Sequence, residues 1–209
     1  MSSLEIPDRL TPAPQPLRHA EALLTHLADL AHATGSEPLL AGLVRAAAQL
    51  SGCELSQLYL LDDTHTRLWL CAEWHDGLLQ PRETASLPSD YDGEQLLQYC
   101  LCQNRRLFLD ELDSRLHNTG FLPVGPRAWR SLLCCPVVDK HGKIGGLLVL
   151  ASRQPQALQG VAEAVGRLGS FAFAQLKLLR RLHAAQDAGP IATPPCASGY
   201  GLIGVPCIA

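Results

Sequence analysis

The sequence predicts an α+β domain with a central antiparallel sheet of about six strands flanked by helices. Three observations predict it. Apolar residues repeat at helical spacing from Leu17 to Leu50. Two pairs of short apolar or alternating runs, around 57–74 and 131–152, are each joined by a polar turn cluster. A long helical stripe then closes the pattern from about Gln156 to Ala185.

Composition agrees with a packed domain. Of 209 residues, 47% are apolar and 18% charged. That is too apolar for a disordered chain, and the length suits one domain with tails. Lys plus Arg total 17 against 20 Asp plus Glu, a net charge of −3. This balance gives no basic stripe, so direct nucleic-acid binding by this chain is not expected. No apolar run reaches about 18 residues, so no membrane span is expected. Residues 1–16 lack a basic start with an apolar run, so no secretory leader is expected. The reading is cytoplasmic, with the eight cysteines as thiols.

Each element has its own signal. Pro7, Pro12, Pro14 and Pro16 make 1–16 a tail, and the prolines of 186–209 make a linker. Between them, 17–185 reads as one domain. Ala20, Leu23, Leu24, Leu27, Leu30 and Ala31 form one helical face, ended by Gly35. Ser36 is the expected N-cap of a second helix striped by Leu39, Leu40, Leu43, Val44, Ala47 and Leu50, and Gly52 ends it. The period then changes to two. Leu58 and Leu60 alternate with Gln57 and Tyr59. After the turn Asp62-Asp63-Thr64-His65, Leu68, Leu70, Ala72 and Trp74 are expected on one buried face, with Arg67, Trp69, Cys71 and Glu73 on the other.

Residues 76–90 read as a loop around a short strand near Thr84–Leu87. Asp92–Gln103 reads as a helix and Leu107–Leu109 as a short strand. Gly120, Pro123, Gly125 and Pro126 predict irregular backbone over 110–130. Ser131–Val138 and Lys143–Ser152 form the clearest hairpin, joined by Asp139-Lys140-His141-Gly142. Gly145 and Gly146 inside the second run predict a bulge or a close backbone approach.

The final stripe runs through Leu158, Val161, Val165, Leu168, Ala172, Leu176 and Leu179. Val165, Leu168, Ala172, Leu179 and Leu182 also fit a loose heptad. A helix of about 30 residues spans roughly 45 Å. Either its second half leaves the domain and pairs with a second chain, giving a homodimer through 156–185, or it packs wholly on its own sheet.

The stretch Leu132-Leu133-Cys134-Cys135-Pro136-Val137-Val138 through Lys143-Ile144-Gly145-Gly146-Leu147-Leu148-Val149-Leu150 resembles the paired strands of a GAF domain, a sensory α+β fold related to PAS domains. The resemblance covers about 17–184. It implies a regulatory role, with a small molecule or a regulatory protein as partner and no catalytic residues. Tyr200-Gly201-Leu202-Ile203-Gly204 resembles the start of the AAA+ ATPase domain in sigma-54-dependent transcriptional activators. The run Asp92 to Asn104 resembles the members associated with type VI secretion. The chain then ends at Ala209 with no phosphate-cradling loop and no helix-turn-helix. It is therefore expected to be a truncated or frame-interrupted product, or an isolated domain, that neither hydrolyses ATP nor binds DNA as the family does.

In that family the ligand lies over one sheet face, under the middle segment. Trp74, Tyr91, Trp129, Arg130 and Cys134 are the expected lining residues. Arg suits carboxylates and phosphates, and Trp stacks on flat ligands. Core packing is the competing role for both tryptophans. No cofactor is identifiable.

Cys100, Cys102, His117 and Cys134 are the candidate metal ligands. Helical geometry turns Cys100 and Cys102 about 200° apart, and a strand points Cys134 and Cys135 to opposite faces. Buried small hydrophobes are therefore the preferred reading, and no metal is expected. Two further readings stay open. One is a stand-alone metal or thiol redox sensor. The other is an enzyme similar to free methionine sulfoxide reductases, although Ser131 is followed by Leu132 where that family has an acidic residue. Asn104-Arg105, Phe108 and Asp110-Glu111 echo a cyclic-nucleotide motif, but the substituted Lys and the short final spacing mark a coincidence.

Overall fold

The computed structural model describes residues 15–81, 86–88, 95–113 and 115–187, with side chains described over 19–81, 96–113 and 115–186. Helix α1 spans Gln15–Ala31 and α2 spans Ser36–Ser51. Helix α1 starts two residues inside the expected tail, with Pro16 in its first turn, where a missing N–H costs nothing. The N-cap of α2 is Gly35, not Ser36, and it makes no side-chain capping bond. Gly52 closes α2 in the left-handed region at φ 68°, as expected.

Among the described residues, seven strands form one antiparallel sheet: β1 (Leu55–Leu61), β2 (Arg67–His75), β3 (Leu78–Leu79), β4 (Ser86–Pro88), β5 (Leu107–Leu109), β6 (Ser131–Val138) and β7 (Ile144–Ser152). The path is β3-β2-β1-β7-β6-β5, and β4 also pairs with β2. The seventh strand is β3, two residues long, which falls where a loop was expected. It folds back on β2 through Asp76 and Gly77, both at positive φ (48° and 85°), as a two-residue hairpin of the primed kind requires. Helix α3 is described over Gln95–Gln103, and Asp92 lies outside the described residues.

The sheet is covered on both faces. Helices α2 and α4 (Ala162–Asp187) cover one, around Leu43, Val44, Leu58, Leu133, Leu148 and Leu168, and α1 packs on those two helices. Helix α3 and the irregular segment 110–130 cover the other, around Leu55, Tyr59, Leu97, Phe121, Trp129 and Cys134. Burial on both sides explains why β6 and β7 read as near-continuous apolar runs. Each large side chain shielded there contributes about 1.5–3 kcal/mol of transfer free energy.

Two departures from regular strand geometry shape the molecule. In β2, Leu58 pairs with Ala72 and Tyr59 pairs with Leu70, so Cys71 is the extra residue of a bulge. The expected shared face of Leu68, Leu70, Ala72 and Trp74 is therefore split. Leu68 and Leu70 join the cluster under α3, whereas Ala72 and Trp74 pack with the α2–α4 cluster. In β7, Val137 pairs with Gly146 and Val138 with Ile144, so Gly145 is bulged. Both roles proposed for Gly145 and Gly146 are present. A Cβ on Gly145 would overlap the Phe173 ring of α4, and one on Gly146 would overlap the Tyr59 carbonyl oxygen of β1.

The last helix begins at Ala162, not Gln156. Gln156 and Gly160 adopt positive φ (57° and 78°) inside the preceding turns, which ends any helix there. At 26 residues α4 is about 39 Å long. Val165, Leu168, Ala172 and Leu176 are buried in the domain's own core, and residues 180–186 are exposed. The stripe thus packs on its own sheet for the first half and then runs out of the core. Lys177 pairs with Asp139 at 2.8 Å, which ties α4 to the β6–β7 turn.

Candidate functional site

The bulge at Cys71 places Glu73 and His75 on the α3 face of the sheet, beside Leu70 and opposite Gln57 of β1. There they form one wall of a cleft of about 470 Å³, within the size range of small-molecule sites. Phe121, Leu122 and Pro123 of the irregular segment form the other wall. The cleft thus lies over one sheet face, under the middle segment.

Buried polar groups fix the sheet wall. Gln57 is 2% exposed, and its amide must therefore be partnered. Its Nε2 donates to Glu73 Oε2 at 2.7 Å and to the Phe121 carbonyl at 3.4 Å. Its Oε1 accepts from the Tyr59 hydroxyl at 3.2 Å. One residue of β1 thus orients the Glu73 carboxylate and anchors the covering segment.

A second cluster adjoins the cleft through His75. Arg153, just after β7, donates to both Asp76 carboxylate oxygens, at 2.7 and 3.0 Å. Those bonds hold the Asp76 carboxyl below its ordinary value. The Arg153 guanidinium also lies 4.7 Å from the Trp129 ring centre and 3.3 Å from His75 Nε2. The His75 and Trp129 rings are 5.7 Å apart. Trp129 Nε1 donates to the Pro123 carbonyl at 2.9 Å, so this cluster also holds the covering segment.

The expected lining residues separate. Trp129 is buried in the α3-side cluster and belongs to the cover. Cys134 is fully buried beneath it, in the same cluster. Trp74 packs on the opposite sheet face, because the bulge precedes it. The Arg130 side chain is exposed, while its backbone bonds to Ser152 and Leu112. Tyr91 lies outside the described residues. Gln57, Glu73, His75 and Arg153 were not anticipated. The available signal was Gln57 itself, an amide inside a largely apolar strand.

Of the candidate metal ligands, only Cys100 and Cys134 meet. The Cys100 thiol donates to the Cys134 carbonyl at 3.8 Å. Cys102 is exposed on the far side of α3, and His117 Nδ1 lies 3.1 Å from the Asp113 carbonyl. The neighbouring Cys100 thiol, then burial, hold Cys134 well above the ordinary thiol value. Burial pushes Cys53 up to about 11 and Cys135 up to about 12. Thiols shifted this way are poor nucleophiles at neutral pH. Among the described cysteines, iodoacetamide is expected to modify Cys102 at least tenfold faster than Cys53, Cys134 or Cys135 in the folded protein. Peptide mapping with and without urea checks this, and equal rates before denaturation would contradict it.

Comparison with known proteins gives the same fold. A family model described as GAF domain matches residues 33–175. No curated protein sequence matches the chain. The GAF domain of an Acinetobacter phosphoenolpyruvate-protein phosphotransferase superposes with a TM-score of 0.60 at 21% identity, over 81% of this chain and 98% of that one. A free methionine-R-sulfoxide reductase from Neisseria meningitidis, solved with its substrate, gives 0.63 at 16%, over 87% and 99%. A bacteriophytochrome from R. palustris gives 0.61 at 12%, over 82% of this chain and 40% of that one. Identities this low carry the fold and leave the chemistry to the residues of each chain. Among the described residues, no helix is long and apolar enough to cross a membrane.

Proposed function

The chain belongs to the GAF domain family, and we propose that it is the sensory domain of a sigma-54-dependent transcriptional regulator. In this reading a small molecule occupies the cleft under residues 120–124, and α4 carries the response. The observation that carries it is the position of Arg153. This residue touches His75 of the cleft wall and Trp129 of the covering segment, and it immediately precedes the turns that lead into α4. Movement of the cover on binding would therefore reach the start of that helix. Tyr200–Gly204, beyond α4, supplies the sigma-54 part through its resemblance to the start of the ATPase domain.

Output by pairing of two copies fits the exposed end of α4. Leu178 and Leu182 are about half exposed and one turn apart, so they share a face. A binding role, not catalysis, fits the buried and upshifted thiols.

The test joins residues 1–209 to the ATPase and DNA-binding modules of a sigma-54 activator. The fused domain is expected to change ATPase activity at least threefold relative to those modules alone. Leu182→Glu is expected to abolish that change and to convert a dimer into a monomer in light scattering. Unaltered ATPase activity would overturn the sigma-54 reading, and a monomeric parent chain would overturn output by pairing.

A further inference from the structure

Resting on the reading of the cleft as a ligand site, we infer that its ligand carries a compact organic cation, a protonated amine in the first instance, received by Glu73. Among the described residues lining the cleft, Glu73 is the only carboxylate, and no Lys or Arg lines it. Its side chain is only 16% exposed, so a ligand that fills the cleft would remove most of its remaining water.

The surroundings leave that charge for a ligand to neutralise. Oε2 accepts from Gln57, a neutral amide. The nearest potential cation to Oε1 is His75 Nδ1 at 4.0 Å, too far for a hydrogen bond. Arg153 is committed to Asp76 through both terminal nitrogens. His75 Nε2 faces away from Glu73, with Arg153 Nη2 at 3.3 Å and Asp76 Oδ2 at 3.4 Å.

Burying Glu73 under an apolar or anionic ligand would strip its water without replacement. A protonated amine replaces that water with a charge-assisted hydrogen bond. Phe121 stands on the facing wall, its carbonyl bonded to the same Gln57 amide that holds Glu73. Leu70 and Leu122 offer apolar surface to the rest of the molecule. The Tyr59–Gln57–Glu73 hydrogen-bond chain holds the carboxylate in place beforehand, so little ordering remains on binding.

The experiment titrates the isotope-labelled chain with n-butylammonium, n-butanol and butyrate, which share one alkyl tail and differ in charge. Amide shifts of Gln57, Glu73 and Phe121 report the cleft. Butylammonium is expected to reach half-saturation at a concentration at least tenfold below that of butanol and butyrate. Glu73→Gln is expected to erase that difference. The ranking on the unmodified chain decides the matter if that variant does not fold. Butanol or butyrate binding as well as butylammonium would overturn the cation inference and leave the cleft a ligand site. No shift at those amides with any of the three would overturn the cleft reading itself, and the inference with it.

Discussion

Gly146→Ala is expected to cost the protein a large share of its stability. The added Cβ would overlap the Tyr59 carbonyl oxygen and sit 3.0 Å from Leu60 Cα. Both are backbone atoms of β1, the strand between β2 and β7 in the middle of the sheet. Neither can yield without breaking a ladder that runs from Leu55 to Leu60. Overpacking usually costs about 1–3 kcal/mol, and a clash with backbone belongs at or above the top of that range. Domains of this kind are stable by only about 5–15 kcal/mol.

Two neighbouring glycines provide the contrast. A Cβ on Gly145 meets the Phe173 ring, a half-buried side chain that can swing aside, so Gly145→Ala should cost less. A Cβ on Gly169 in α4 meets only Val137 Cγ2 at 3.4 Å and Leu148 Cδ2 at 3.6 Å, ordinary contacts. Gly169→Ala should be neutral or stabilising by up to about 1 kcal/mol, because alanine favours the helix. Urea midpoints of the three variants check the order. Gly146→Ala within roughly 0.5 kcal/mol of the parent, the size of an ordinary surface substitution, would refute the close approach of β1 and β7.

The glycine pair was legible because it interrupts an apolar run that has no other reason to contain glycine. The same holds for α1, α2, the β6–β7 hairpin and the start of the irregular segment, where period, turn residues and breakers agree. The β2 bulge was not legible. Strict alternation puts Leu68, Leu70, Ala72 and Trp74 on one face, and every one of those residues can be buried. Only the pairing of Leu58 with Ala72 and Tyr59 with Leu70 reveals the slip at Cys71. A slip of one residue exchanges faces for all that follows, so a single undetected bulge moved Trp74 out of the site and Glu73 and His75 into it.

Long-range partners were illegible for a different reason. Gln57 and Phe121 are 64 positions apart and Asp76 and Arg153 are 77 apart, so no local pattern joins them. The start of α4 was missed because Leu158 and Val161 continue the helical stripe while lying in turns. Both are buried against the core, and burial alone reproduces the helical spacing.

Trp129→Ala should be the second large loss, and it separates the two roles weighed for this residue. Replacing a buried Trp by Ala typically costs about 3–5 kcal/mol. Here the loss includes the packing under Arg153, the contact with the His75 ring and the hydrogen bond to the Pro123 carbonyl. Trp129→Phe keeps an aromatic ring and removes the N–H donor. It leaves the Pro123 carbonyl short of one partner and should cost about 1 kcal/mol. Because Trp129 fastens the cover to the sheet, hydrogen exchange should rise first over 120–125 in both variants, with the rest of the sheet less affected in Trp129→Phe. A residue that merely lined an open ligand pocket would behave in the opposite way. Its truncation would leave stability and exchange close to the parent, because in the unliganded protein its ring would face water and not the Arg153–His75 cluster.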